Sequence, residues 1–107
     1  MMVKVAAGAA LMGFLLCNAA QAQSFNCNVN DLKRDEQAVC DDRDLAQLDV
    51  QMSNIYRRAM AQATPRGREQ IREYQVAWLR SRAECGRDRA CLKSVYEDQI
   101  AWLQQFD

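Results

Sequence analysis

The side chains best placed to do chemistry are five cysteines, at 17, 27, 40, 85 and 91, and two short charged clusters, Asp41-Asp42-Arg43-Asp44 and Arg87-Asp88-Arg89. The 107-residue chain contains no histidine. That removes the commonest general base near neutral pH and the commonest transition-metal ligand. Serine–histidine and cysteine–histidine nucleophile pairs are therefore impossible within one chain. The cysteine spacings contain no C-x-x-C, so neither a zinc knuckle nor a dithiol redox pair is spelled. Calcium fails on spacing too: counting from Asp42 and Asp44, the fifth position is Ala46 and the sixth is Gln47, where a calcium loop needs glycine. Asp41 and Asp42 can be drawn as an acid/base pair, but no nucleophile accompanies them. The reading is a protein with no catalytic residues, no metal and no cofactor, in other words not an enzyme.

What the cysteines do depends on where the chain goes. Residues 1–22 hold one charged side chain, Lys4, followed by the apolar and small run Val5–Cys17 and then Ala20-Gln21-Ala22, a small-x-small cleavage signal. The run is shorter than the roughly 20 apolar residues of a membrane span. Leu16, directly before Cys17, is too large for a lipobox, which argues against a lipid anchor. The expectation is a signal peptide over 1–22 and an exported, periplasmic or secreted domain over 23–107, without stable membrane insertion. That domain keeps 13 basic and 14 acidic groups, net −1, and lacks the basic excess expected of a nucleic-acid binder. Four cysteines remain, Cys27, Cys40, Cys85 and Cys91, an even number for an oxidising compartment. Two disulfides are expected. Local pairing, Cys27–Cys40 and Cys85–Cys91, is preferred because each loop is short, with cross-helix pairing left open.

These groups must be held by helices, since no stretch alternates apolar and polar residues as a half-buried strand would. Asn30 or Asp31 can cap a first helix running to about Cys40, with Leu32, Ala38 and Val39 inward. A long second helix follows the acidic cluster, with Leu45, Leu48, Met52, Ile55 and Ala59 as its apolar seam. Thr64-Pro65 reads as N-cap and first helical residue of a third helix, with Ile71, Tyr74, Trp78 and Leu79 inward as far as Cys85. After a break at Gly86–Arg89, a fourth helix from about Ala90 buries Leu92, Val95 or Tyr96, Ile100 and Leu103. The fold class is all-α: a small disulfide-stapled bundle built on an antiparallel helical hairpin with shorter flanking helices. This topology brings Cys40, Cys85 and Cys91 to one end, and Cys27 can reach it by doubling back.

Cys27, Cys40, Leu45-Ala46-Gln47-Leu48-Asp49 and Tyr56 resemble the start of the lysozyme inhibitor LprI N-terminal-domain family. Gln75-Val76-Ala77-Trp78-Leu79, Arg82, Cys85, Ala90-Cys91-Leu92 and Tyr96 continue the likeness, which spans roughly Phe25 to Leu103. The resemblance implies a small exported helical domain of bacterial envelopes, with lysozyme inhibition as the activity that names the family. No inhibitory residues are carried over from it.

Each distinctive residue also has a plain structural role. Trp78 and Tyr56 fall on inward helical faces and read as core. Asp49, next to the seam, suits an ion pair with Arg80 or Arg82. Asp41, Asp42 and Asp44 suit a helix N-terminus, and their functional alternative is a patch that attracts a basic partner. Arg87 and Arg89 suit solvated loop charges, or donors that reach the catalytic carboxylates of a glycosidase cleft. The partner-binding candidates are therefore Arg87, Arg89, Asp41, Asp42 and Asp44, and the candidate partner is a lysozyme. The alternative is an envelope structural or adaptor protein that turns the same bundle toward another partner.

Overall fold

The computed structural model describes residues 24–106. The expected leader, its cleavage site and Cys17 lie outside the described residues. Within them the architecture is all-helical, four helices in the order α1 (Arg34–Asp41), α2 (Arg43–Gln62), α3 (Pro65–Cys85) and α4 (Arg89–Leu103), closed by a 3₁₀ turn at Gln104–Phe106. No strand occurs among the described residues. No helix among them is long and apolar enough to cross a membrane.

Local chemistry sets the boundaries. Asp42 alone separates α1 from α2: its backbone is extended, and its carboxylate accepts from the N–H groups of Asp44 (2.9 Å) and Leu45 (3.1 Å). Those donors lack partners inside the helix, so the cap starts α2. Thr64 accepts from the Gly67 N–H (3.1 Å), with Pro65 at the first helical position, as the sequence indicates. The first helix begins later than expected. Lys33, not Asn30 or Asp31, occupies the N-cap, because Glu36 reaches back to accept the Lys33 N–H at 3.0 Å. At the other end of the hairpin α3 stops at Gly86, whose φ of +56° lies in the left-handed region open to glycine. Asp88 then caps α4 by accepting the Cys91 N–H at 3.1 Å.

The α2–α3 pair is the expected antiparallel hairpin, each helix about 30 Å long. On α2 the expected seam is buried at Leu45, Met52, Ile55 and Ala59 and half-buried at Leu48. On α4 it is buried at Leu92, Tyr96, Ile100 and Leu103. The third helix departs from expectation. Its buried positions are Ile71, Trp78, Arg82 and Cys85, whereas Tyr74 and Leu79 are 46% and 41% exposed. Gln75, not Tyr74, sits on the inner line, and its carboxamide oxygen accepts from Gln99 of α4 at 2.8 Å. Tyr74 is rotated outward and stacks flat on Trp102, centroids 3.8 Å apart. Trp78 is core as read: its indole N–H donates to the Val95 carbonyl at 2.9 Å, and its ring meets Tyr96 edge-on at 5.0 Å.

Two disulfides staple the bundle, Cys27–Cys40 and Cys85–Cys91, the local pairing. The first fastens the N-terminal segment to α1. The second bridges the end of α3 to the start of α4 across a tight loop. Two such bonds belong to a non-reducing, exported environment.

Candidate functional site

At the disulfide-closed end, the α1–α2 corner faces the α3–α4 loop. Asp41, Asp42, Asp44, Arg87 and Arg89 all line one open concavity of about 460 Å³ there, completed by Ala38 and Arg43. Asp41–Asp44 and Arg87–Arg89, far apart in sequence, are thus assembled on one surface, because the hairpin returns the chain to its starting end. A second hollow of similar volume continues between α2 and α4, sharing Asp42, Asp44 and Arg89 and adding Gln47, Lys93 and Glu97 at its polar edge.

These charges are partly engaged with one another. A guanidinium nitrogen of Arg89 lies 2.6 Å from the Asp42 carboxylate, across the corner from α4 to α2. The Arg89 side chain is 76% exposed and that of Asp42 only 11%, so the pair presents arginine outward and carboxylate inward. The Leu45 N–H hydrogen bond, reinforced by Arg89, holds the Asp42 carboxyl below the ordinary carboxylate range despite its partial burial. Asp41 accepts from the Gln37 carboxamide at 3.0 Å and is exposed, as are Asp44 and Arg87. Arg87 forms no ion pair with the described residues, and Gly86 and the Cys85–Cys91 bond fix the loop that carries it. The surface thus offers two outward arginines beside an acidic corner. Among the described residues no group of three or more cysteines, aspartates or glutamates is placed to hold a metal ion.

Behind this end lies a polar core that the sequence reading missed. Asp35 and Arg82 are both buried, with Nε of Arg82 2.7 Å from the Asp35 carboxylate and side-chain exposures of 6% and 4% for Arg82 and Asp35. Glu36 stands 3.7 Å from the same guanidinium. The rings of Phe25 and Trp78 lie beneath Arg82 at 5.1 and 5.4 Å. Burial opposes the Arg82 charge, but Tyr96 and Asp35 more than offset it and its pKa is raised. The expected pairing of Asp49 with Arg80 or Arg82 does not form. Asp49 instead accepts from the Tyr96 hydroxyl (2.9 Å) and from the Ser24 hydroxyl and N–H (2.7 and 2.8 Å). Tyr96 stands between the two, since Arg82 donates to its oxygen at 3.5 Å. Burial, and then the neighbouring Asp49 carboxylate, push the Tyr96 phenol above its usual pKa. A signal for this network exists in the sequence: Asp35, Asp49 and Arg82 each sit three or four residues from a core apolar residue on their own helix.

No known protein family, curated protein or solved structure matches the chain.

Proposed function

We propose that this chain is an exported binding protein of the periplasm or extracellular space, and that its disulfide-closed end enters the substrate cleft of a lysozyme. The observation that carries this reading is the assembly of Asp41, Asp42, Asp44, Arg87 and Arg89 around one concavity. The resemblance to the LprI-type inhibitors adds the class of partner. Glycosidases work with two carboxylates flanking the scissile bond. Outward arginines, Arg87 on a loop fixed by a disulfide and a cap and Arg89 at the start of α4, are suited to reach such carboxylates and lose little entropy on docking. The acidic corner supplies long-range attraction for a basic enzyme.

The Asp42–Arg89 ion pair refines the roles. Arg89 is oriented by its own acidic neighbour, and Arg87, without an ion pair in the bundle, is the donor available to the partner. The test is a turbidity assay of bacterial cell-wall lysis by purified lysozymes of several classes. The protein should inhibit at least one class, and Arg87→Ala/Arg89→Ala should weaken that inhibition by about tenfold, roughly 1.4 kcal/mol, with unchanged circular dichroism. Equal inhibition by the double variant rejects the loop as the contact. Absence of inhibition in every class rejects the lysozyme reading and leaves the adaptor alternative.

A further inference from the structure

We propose that two copies of this chain pair through the outer face of α3, antiparallel about a twofold axis. The solvent face of a bundle helix is normally polar. Among the described residues four large hydrophobic side chains are exposed, and three of them, Tyr74, Val76 and Leu79, lie on α3. Tyr74 is engaged on its own flank by stacking on Trp102. Val76 and Leu79, 50% and 41% exposed, have no such cover. Arg72, Val76, Leu79 and Ala83 are all exposed and step by 4, 3 and 4, the spacing of the seam between two coiled helices. Single apolar residues scattered over a surface need no partner, whereas apolar residues aligned along one helix form a strip that a partner can cover.

The charges beside the strip select a second copy as its occupant. Arg72, Glu73, Arg80 and Glu84 are exposed, and none makes an ion pair with the described residues. When Val76 of one copy packs antiparallel against Leu79 of the other, Glu73 comes beside Arg80 and Arg72 comes beside Glu84. The twofold axis repeats each pair, so four opposite-charge contacts flank the apolar centre. A parallel pairing would instead set Arg72 against its own copy. A partner carrying one sign of charge would leave two of these four groups facing a like charge. The strip from Arg72 to Glu84 is about 20 Å long and one helix wide, less than the roughly 800 Å² per partner of a standard interface. The dimer is therefore weak, with a dissociation constant of about 100 μM. It leaves the two disulfide-closed ends pointing in opposite directions, and it stands independently of the reading given to those ends.

The experiment is sedimentation equilibrium of the purified protein from about 10 μM to about 1 mM. The parent should follow a monomer–dimer equilibrium over this range. Val76→Asp/Leu79→Asp should be monomeric throughout, with unchanged circular dichroism, because both side chains are exposed. Glu73→Arg and Arg80→Glu should each weaken the dimer about fivefold, since each sets like charges together at two contacts. Mixed in equal amounts, those two variants should associate with each other about as tightly as the parent does with itself, because each supplies the charge that the other lacks. Three results would overturn the proposal: a parent that is monomeric at about 1 mM, a dimer that survives Val76→Asp/Leu79→Asp, or a mixture of the two charge variants that associates no better than either alone.

Discussion

Replacing Arg82 with alanine tests how the N-terminal segment and α1 are held to the hairpin. The guanidinium donates to Asp35 at 2.7 Å with both side chains about 95% covered, so solvent screens the pair very little. Removing the cation strands the Asp35 carboxylate in the interior. Breaking a buried pair in this way costs about 3–5 kcal/mol, against the 0–1 kcal/mol of an exposed pair. A folded domain of this size has roughly 4–12 kcal/mol of total stability, so the loss is a large share of it. At about 4–8 °C per kcal/mol the thermal midpoint should fall by at least about 12 °C. Urea titration followed by far-ultraviolet circular dichroism reads the same change as a lower midpoint at unchanged slope. The cost is assigned to the stranded carboxylate, so Arg82→Ala/Asp35→Ala should be more stable than Arg82→Ala alone. A single-variant loss below about 1 kcal/mol, the value of an exposed pair, would refute the argument. So would a double variant no better than the single one, which would place the cost in lost packing on Phe25 and Trp78.

The two disulfides should contribute unequally. Chain-entropy arithmetic for their sequence separations of 13 and 6 gives about 3 kcal/mol for Cys27–Cys40 and slightly above 2 kcal/mol for Cys85–Cys91. Paired cysteine-to-alanine variants measured by urea unfolding should keep that order, and a reversed order would show that native-state contacts outweigh loop closure. Acid stability should report on Asp42. Its folded pKa lies below the unfolded value of 3.8, so its contribution is complete above that value and is lost as pH falls through the folded one. Asp42→Asn keeps a capping oxygen but cannot titrate. The stability gap between parent and variant should be constant near neutrality and shrink below about pH 4, and a gap that does not move would refute the assignment.

The elements that were legible in the sequence are those whose local chemistry decides them. Thr64-Pro65 can only start a helix, because Pro65 lacks the N–H that an interior turn would need and Thr64 supplies a capping oxygen. The 3–4 spacing of Leu45, Leu48, Met52, Ile55 and Ala59 fixes the inner face of α2 in the same way. Tyr74 and Leu79 face outward although apolar periodicity puts them inward, because the inner line of α3 passes through Gln75 and Arg82. Both stand three or four residues from Ile71, Trp78 or Cys85, but that spacing alone does not rank them above the apolar Tyr74 and Leu79. Their partners, Gln99 on α4 and Asp35 on α1, are 24 and 47 residues away.

The same reasoning explains why the cysteine end is plainer in the sequence than the buried polar network. A short cysteine pair, a glycine at positive φ and two caps all act within a few residues, and the hairpin then carries them to one end. Asp41, Asp42, Asp44, Arg87 and Arg89 therefore meet as a consequence of topology alone. The buried polar network depends on which groups meet across helices, a property of packing rather than of local spelling. On α2 the buried stripe that carries Met52 also includes polar residues, Ser53 among them. Asp49, one turn earlier on the same face, is fully satisfied by Ser24 and Tyr96. Ser24 and Tyr96 lie 25 and 47 residues from it in the chain, so a carboxylate beside an apolar seam is held by partners that only the folded bundle supplies.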